Sequence, residues 1–107
     1  MNTATDPRDP LARADEIVSA QEEAVAFECA RECISDMMSI YTGRIAEEEA
    51  KPKPDRQDIE VMRAERSRLA RGRAELRLHD RAHITRIMDE YGGAVRAWRA
   101  EHRPLAA

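Results

Sequence analysis

The chain has 107 residues, 42% of them hydrophobic, 36% charged and only 4% aromatic, with a net charge of −3. That gives room for one domain whose core must come from Ala, Ile, Leu, Val and Met, the composition of long amphipathic helices. No apolar run approaches the ~20 residues of a membrane span, and Met1-Asn2-Thr3-Ala4-Thr5-Asp6-Pro7 has neither the basic start nor the apolar stretch of a secretory signal.

A cytoplasmic protein is therefore expected, and sixteen Arg against two Lys hint at a GC-rich bacterial genome. Charge is sorted by half. Residues 1–50 carry four basic and twelve acidic side chains, a balance of −8, and residues 51–107 carry fourteen and nine, a balance of +5. An acidic helix folded back on a basic one is the simplest structure that uses this attraction.

In chain order, residues 1–9 read as a flexible lead ending in Asp9, an N-cap before a first-turn proline, Pro10. From there to residue 50 no proline and no turn cluster intervenes, so one long helix is expected over 10–50. Lys51-Pro52-Lys53-Pro54 ends it, because each proline pushes the residue before it out of helical geometry. Asp55 can cap a second helix over 55–91, which Tyr91-Gly92-Gly93 should stop with a left-handed cap and a hinge. A short third helix over 94–103 carries Trp98 and closes at Pro104.

Helix 1 is apolar on two faces. Ile17, Ala20, Ala24, Phe27, Ile34, Met38, Tyr41 and Ile45 form a three-four-spaced seam, while Leu11, Val18, Val25, Cys29, Cys33 and Ile40 lie roughly opposite. Helix 2 has one stripe, running from Ile59, Met62 and Leu69 to Leu76, Ile84, Ile87 and Tyr91. A hairpin needs only one face of helix 1, so the other must meet helix 3, a second copy or a different protein. The expected fold is all-α: a long antiparallel helical hairpin plus a short C-terminal helix, assembled as a homodimer whose long helices form a four-helix bundle. Its dimer interface would use Leu11, Val18, Val25, Cys29 and Ile40.

Three constellations could carry chemistry. His79-Asp80-Arg81-Ala82-His83 resembles the zincin signature H-E-x-x-H over five residues, with Asp in place of Glu and no third ligand following at a familiar spacing. The bland account is two solvated or seam-edge histidines. Cys29 and Cys33 together with His79 and His83 would make a tetrahedral Cys₂His₂ metal set. Folding the hairpin about residue 53, however, sets Cys29 opposite about residue 77 and Cys33 opposite about residue 73, so the histidine pair lies about six residues away along the axis. As reduced thiols in the cytoplasm, the cysteines read better as small apolar residues.

Arg63, Arg66, Arg73, Arg77 and Arg81 belong to an Arg-rich run that could grip phosphates. Helix 1 offers counter-charges, Glu28 and Glu32 among them, and nothing aromatic or amide-rich is interleaved to read bases. Phosphate loops, nucleophile elbows and di-iron E-x-x-H patterns are missing from the sequence, so no enzyme activity and no cofactor is expected. The expected function is protein binding, by a small regulator, adaptor or inhibitor, with Trp98 as the aromatic most suited to a partner. A nucleic-acid-binding regulator and a metal-responsive protein are the alternatives.

Overall fold

Asp9 and Pro10 start the first helix as their chemistry requires: the Asp9 carboxylate accepts from the Leu11 N–H at 3.0 Å, and proline takes a position where no donor is needed. This helix, α1 (Pro10–Glu49), runs unbroken for 40 residues. The computed structural model describes residues 9–103. The expected flexible lead thus lies outside the described residues except for Asp9. Among the described residues there are three helices and no strand, and no helix is long and apolar enough to cross a membrane.

The Lys-Pro-Lys-Pro segment makes the turn, and Asp55 caps α2 (Arg56–Glu75) by accepting from the Asp58 N–H at 3.1 Å. α2 runs antiparallel to α1. Arg63 near its start meets Glu49 at the end of α1, and Arg66 donates to Thr42 one turn and more further back. Between them the seam closes over Ile45, Ile59 and Met62, then over Ala30, Ile34 and Leu69.

Beyond Glu75 the expected helix over 55–91 does not continue. Leu76 turns to extended backbone while its side chain stays in the core, and Asp80 accepts from the His83 N–H at 3.1 Å to cap a new helix, α3 (Arg81–Glu101). Residues 76–80 thus reverse the chain with neither glycine nor proline. The reversal lets Leu76 and Ile84 reach the same stretch of α1 beside Ala30 and Ile34.

The expected hinge at Gly92-Gly93 is also replaced. Both glycines lie inside α3, neither has positive φ, and the segment 94–103 is the end of this helix, not a helix of its own. Gly92 is buried, and a Cβ there would stand 3.6 Å from the Cys33 sulfur, so the small residue lets α3 approach α1 closely. The approach holds a parallel pair together: Arg81 meets Glu23, Gly92 meets Cys33 and Arg99 meets Asp36.

In place of one long helical partner, α1 has two short ones, and both lie along its C-terminal part. α2 covers the Ile34 and Ile45 side, while α3 covers the side bearing Cys33 and Ile40. Residues 10–17 of α1 project past both, although Ala12 among them is buried. The molecule measures 76 × 37 × 16 Å with a radius of gyration of 20.3 Å, against about 13 Å for a compact domain of this length.

Candidate functional site

Apolar residues have been left on the surface of one element above all. Leu11 is 75% exposed, Ile17 57%, Val18 50% and Val25 62%, and all four lie on the N-terminal part of α1. Leu11, Val18 and Val25 recur every seven residues, which stacks them on one side of the helix. Where this projecting arm enters the body of the protein, the stripe continues into two shallow grooves of about 400 and 640 Å³. The first holds Val18, Val25, Cys29 and Met88, and the second Val25, Cys29 and Cys33. Since they share Val25 and Cys29, they form one apolar trough along α1, bounded on one side by α3.

The rim is acidic. Glu22 borders the first groove, and Glu28, Glu32 and Asp36, with Arg99 as the one cation, border the second. Asp36 is held by Arg99 at 3.2 Å, and Glu28 lies 3.6 Å from Arg31 in an exposed pair. Such exposed pairs contribute little to stability. Glu22 and Glu32 have no cationic partner among the described residues.

The base of the arm is clasped. Glu23 receives the His79 Nδ1 at 2.5 Å and the Arg81 guanidinium at 3.1 Å, which ties the α2–α3 turn to α1 where α3 begins. The hydrogen bond with His79, assisted by Arg81, holds the Glu23 carboxyl below its ordinary value. Burial pushes the Cys33 thiol up, and the neighbouring Asp36 charge adds to this, so Cys33 stays an apolar thiol at neutral pH.

The sequence-derived metal set is not brought together. Cys33 faces Gly92, while His79 sits outside any helix and is engaged with Glu23. Among the described residues no group of three or more His, Cys, Asp and Glu could hold a metal ion. Asp80, the acid of the H-D-x-x-H pattern, is spent on the N-cap of α3. The two histidines therefore do not stack on one helix face, because the helix starts between them.

Of the proposed dimer residues, Leu11, Val18, Val25 and Cys29 are exposed, but Ile40 is buried within the chain and borders the α1–α3 cleft with Val95 and Trp98. That cleft, about 650 Å³, is lined by mixed charge and small residues, Gly43 among them. Trp98 is half-buried and stacks on His102 with ring centroids 4.1 Å apart.

The Arg run is divided. Arg63 pairs with Glu49 and Glu60, Arg66 donates to the Thr42 hydroxyl, and Arg81 pairs with Glu23. Arg73 and Arg77 are exposed and have no carboxylate partner among the described residues. Glu28 and Glu32, expected as counter-charges, face the trough instead. Residues that the sequence did not single out are Met88, Glu22 and Asp36, which enter the site only because α3 folds back. The signal that could have revealed them is Asp80, a capping residue three positions before His83. No protein-family model matches this chain, and neither does any curated protein or any solved structure.

Proposed function

We propose that the protein is a non-catalytic binding module, a small cytoplasmic regulator, adaptor or inhibitor that engages another polypeptide through the arm of α1. The observation that carries this reading is the row Leu11, Val18 and Val25, left open to water on a helix that extends beyond its own core. Scattered exposed apolar residues need no explanation, but a row continuous with an apolar trough is the usual mark of an interaction surface. The engagement of His79 with Glu23 and of Asp80 with the α3 N-terminus takes both residues out of the H-D-x-x-H pattern. For nucleic acid, only Arg73 and Arg77 of the five candidate arginines lack a partner within the chain, which favours the protein-binding reading.

A photoreactive amino acid at Val18 should crosslink in the native cell to one discrete polypeptide, while the same group at the exposed Ala64 on α2 should not. Equal labelling at both positions, or none at Val18, rejects the proposal. An adduct of twice the chain's own mass would identify a homodimer along Leu11, Val18, Val25 and Cys29.

A further inference from the structure

Taking the arm as a protein-binding surface, the charge around it says what kind of partner it fits. Residues 9–36 carry eight carboxylates against two arginines. Four of those carboxylates, on Glu22, Glu28, Glu32 and Asp36, rim the trough itself, and the one cation lining it, Arg99, is paired with Asp36, which leaves Glu22 and Glu32 as its uncompensated charges. From Leu11 to Cys33 the apolar track spans 22 residues of helix, about 33 Å, enough to seat a helix of about six turns.

We propose that this trough receives a cationic amphipathic helix of another protein, with its apolar face on Val18, Val25, Cys29 and Met88 and its Lys or Arg residues against Glu22 and Glu32. A second copy is the poorer occupant for two reasons. Its arm carries the same negative charge, so packing arm on arm places carboxylates against carboxylates. Its arginine-rich α2 has the right charge but spends its apolar stripe, Ile59, Met62 and Leu69, on its own α1. A partner helix must bring both features at once.

Three fluorescein-labelled peptides of 20 residues test this against the full chain, read by fluorescence anisotropy at physiological salt. The first is an amphipathic helix with Leu on one face and Lys on its flanks. The second has the same composition scrambled so that the apolar face is lost, and the third replaces each Lys with Glu. The first should bind at least tenfold tighter than either of the others. Its affinity should fall at least tenfold with Val18→Ser/Val25→Ser, and should both fall and lose most of its salt dependence with Glu22→Lys/Glu32→Lys. All four positions are exposed, and unchanged far-UV circular dichroism checks that each variant remains folded.

Equal binding of the scrambled peptide would reduce the effect to nonspecific charge attraction, and equal binding of the Glu peptide would remove the charge argument. Indifference to both double variants would place the binding elsewhere. Each of these outcomes overturns the inference. If no peptide binds, the inference also fails, and crosslinking at Val18 then decides whether the arm is a binding surface at all. A specific adduct there keeps the broader reading, with light scattering telling a second copy from a different protein, and no adduct ends both.

Discussion

Upstream and downstream of Glu23, α1 is one continuous helix with apolar residues on more than one side, yet the two stretches live in different environments. Downstream, Ala30, Ile34, Ile40 and Ile45 are buried by α2 on one flank and α3 on the other. Upstream, Leu11, Ile17 and Val18 stay in water. What separates them is where their partner turns. Had residues 55–91 formed one straight helix, Ile84 and Ile87 would have run along the arm. By breaking at residues 76–80 the chain doubles its cover on one half of α1 and gives little to the other, where Ala12 is the one buried apolar residue before Ala30 among the described residues. A helical segment as short as the arm is marginal by itself, and it holds because it continues a helix that is nucleated and packed elsewhere.

The largest effect should come from truncating the covered half. Ile34 is 1% exposed, and Ile34→Ala should cost about 2–5 kcal/mol through lost contacts and a cavity. Val25→Ala, on the exposed row, should change stability by less than about 0.5 kcal/mol. Urea denaturation of the two variants measures both, and similar losses would mean that the arm is packed in solution.

Removing the cap acts on the arm alone. Asp9→Ala deletes the acceptor for the Leu11 N–H and should weaken the helix start by about 0.5–2 kcal/mol. Hydrogen exchange should quicken over residues 10–22, with the global melting temperature holding steady. A cooperative loss of the whole fold would erase the distinction between the two halves.

A smaller gain is expected inside the covered region. A Cβ on Gly93 would meet only the end of Arg96, at 3.9 Å, so Gly93→Ala should stabilise the protein by about 0.5–1 kcal/mol by improving helix propensity. A loss on thermal melting would show that residues 92–93 need the flexibility of a hinge after all.

The smallest effect is a matter of pH. The Glu23 carboxyl is held below its ordinary value of 4.5, so its contribution is fully present above that value and fades as pH falls through the folded-state value. Glu23→Gln should therefore lower the melting temperature slightly at pH 7, and the gap to the unaltered chain should close toward pH 3. A gap that widens in acid would contradict the Glu23–His79–Arg81 clasp.

Much of this architecture was legible in residue order. Asp9-Pro10, the Lys51-Pro52-Lys53-Pro54 turn and Asp55 fix both ends of α1 and the start of α2 through local chemistry, and the structure follows them closely. The structure departs from the expected elements in two places, the helix that runs through Gly92-Gly93 and the break at residues 76–80, and both bring α3 onto α1. Gly92 and Gly93 disfavour a helix by about 1 kcal/mol each, too little against the burial that α3 gains where Gly92 meets Cys33. Asp80 carries a local capping signal inside the stretch expected to be helical, and the break before it brings Leu76 and Ile84 to the same part of α1. The stripe Leu11, Val18 and Val25 was visible as apolar. That it stays uncovered depends on that break.

Trp98 lies at the end of the molecule remote from the arm, beside Gly43, Arg44 and Glu47. More than 17 residues of α1, about 27 Å of helix, separate these neighbours from Val25. As the chain's one tryptophan, with its indole stacked on the imidazole of His102, it gives the protein a single optical reporter of how α3 sits on α1. Its emission should follow unfolding of the body faithfully and change little when a helix touches only Leu11 or Val18. A titration followed by intrinsic fluorescence would thus respond only where the partner reaches Asp36 and Arg99, which border both the trough and the Trp98 cleft.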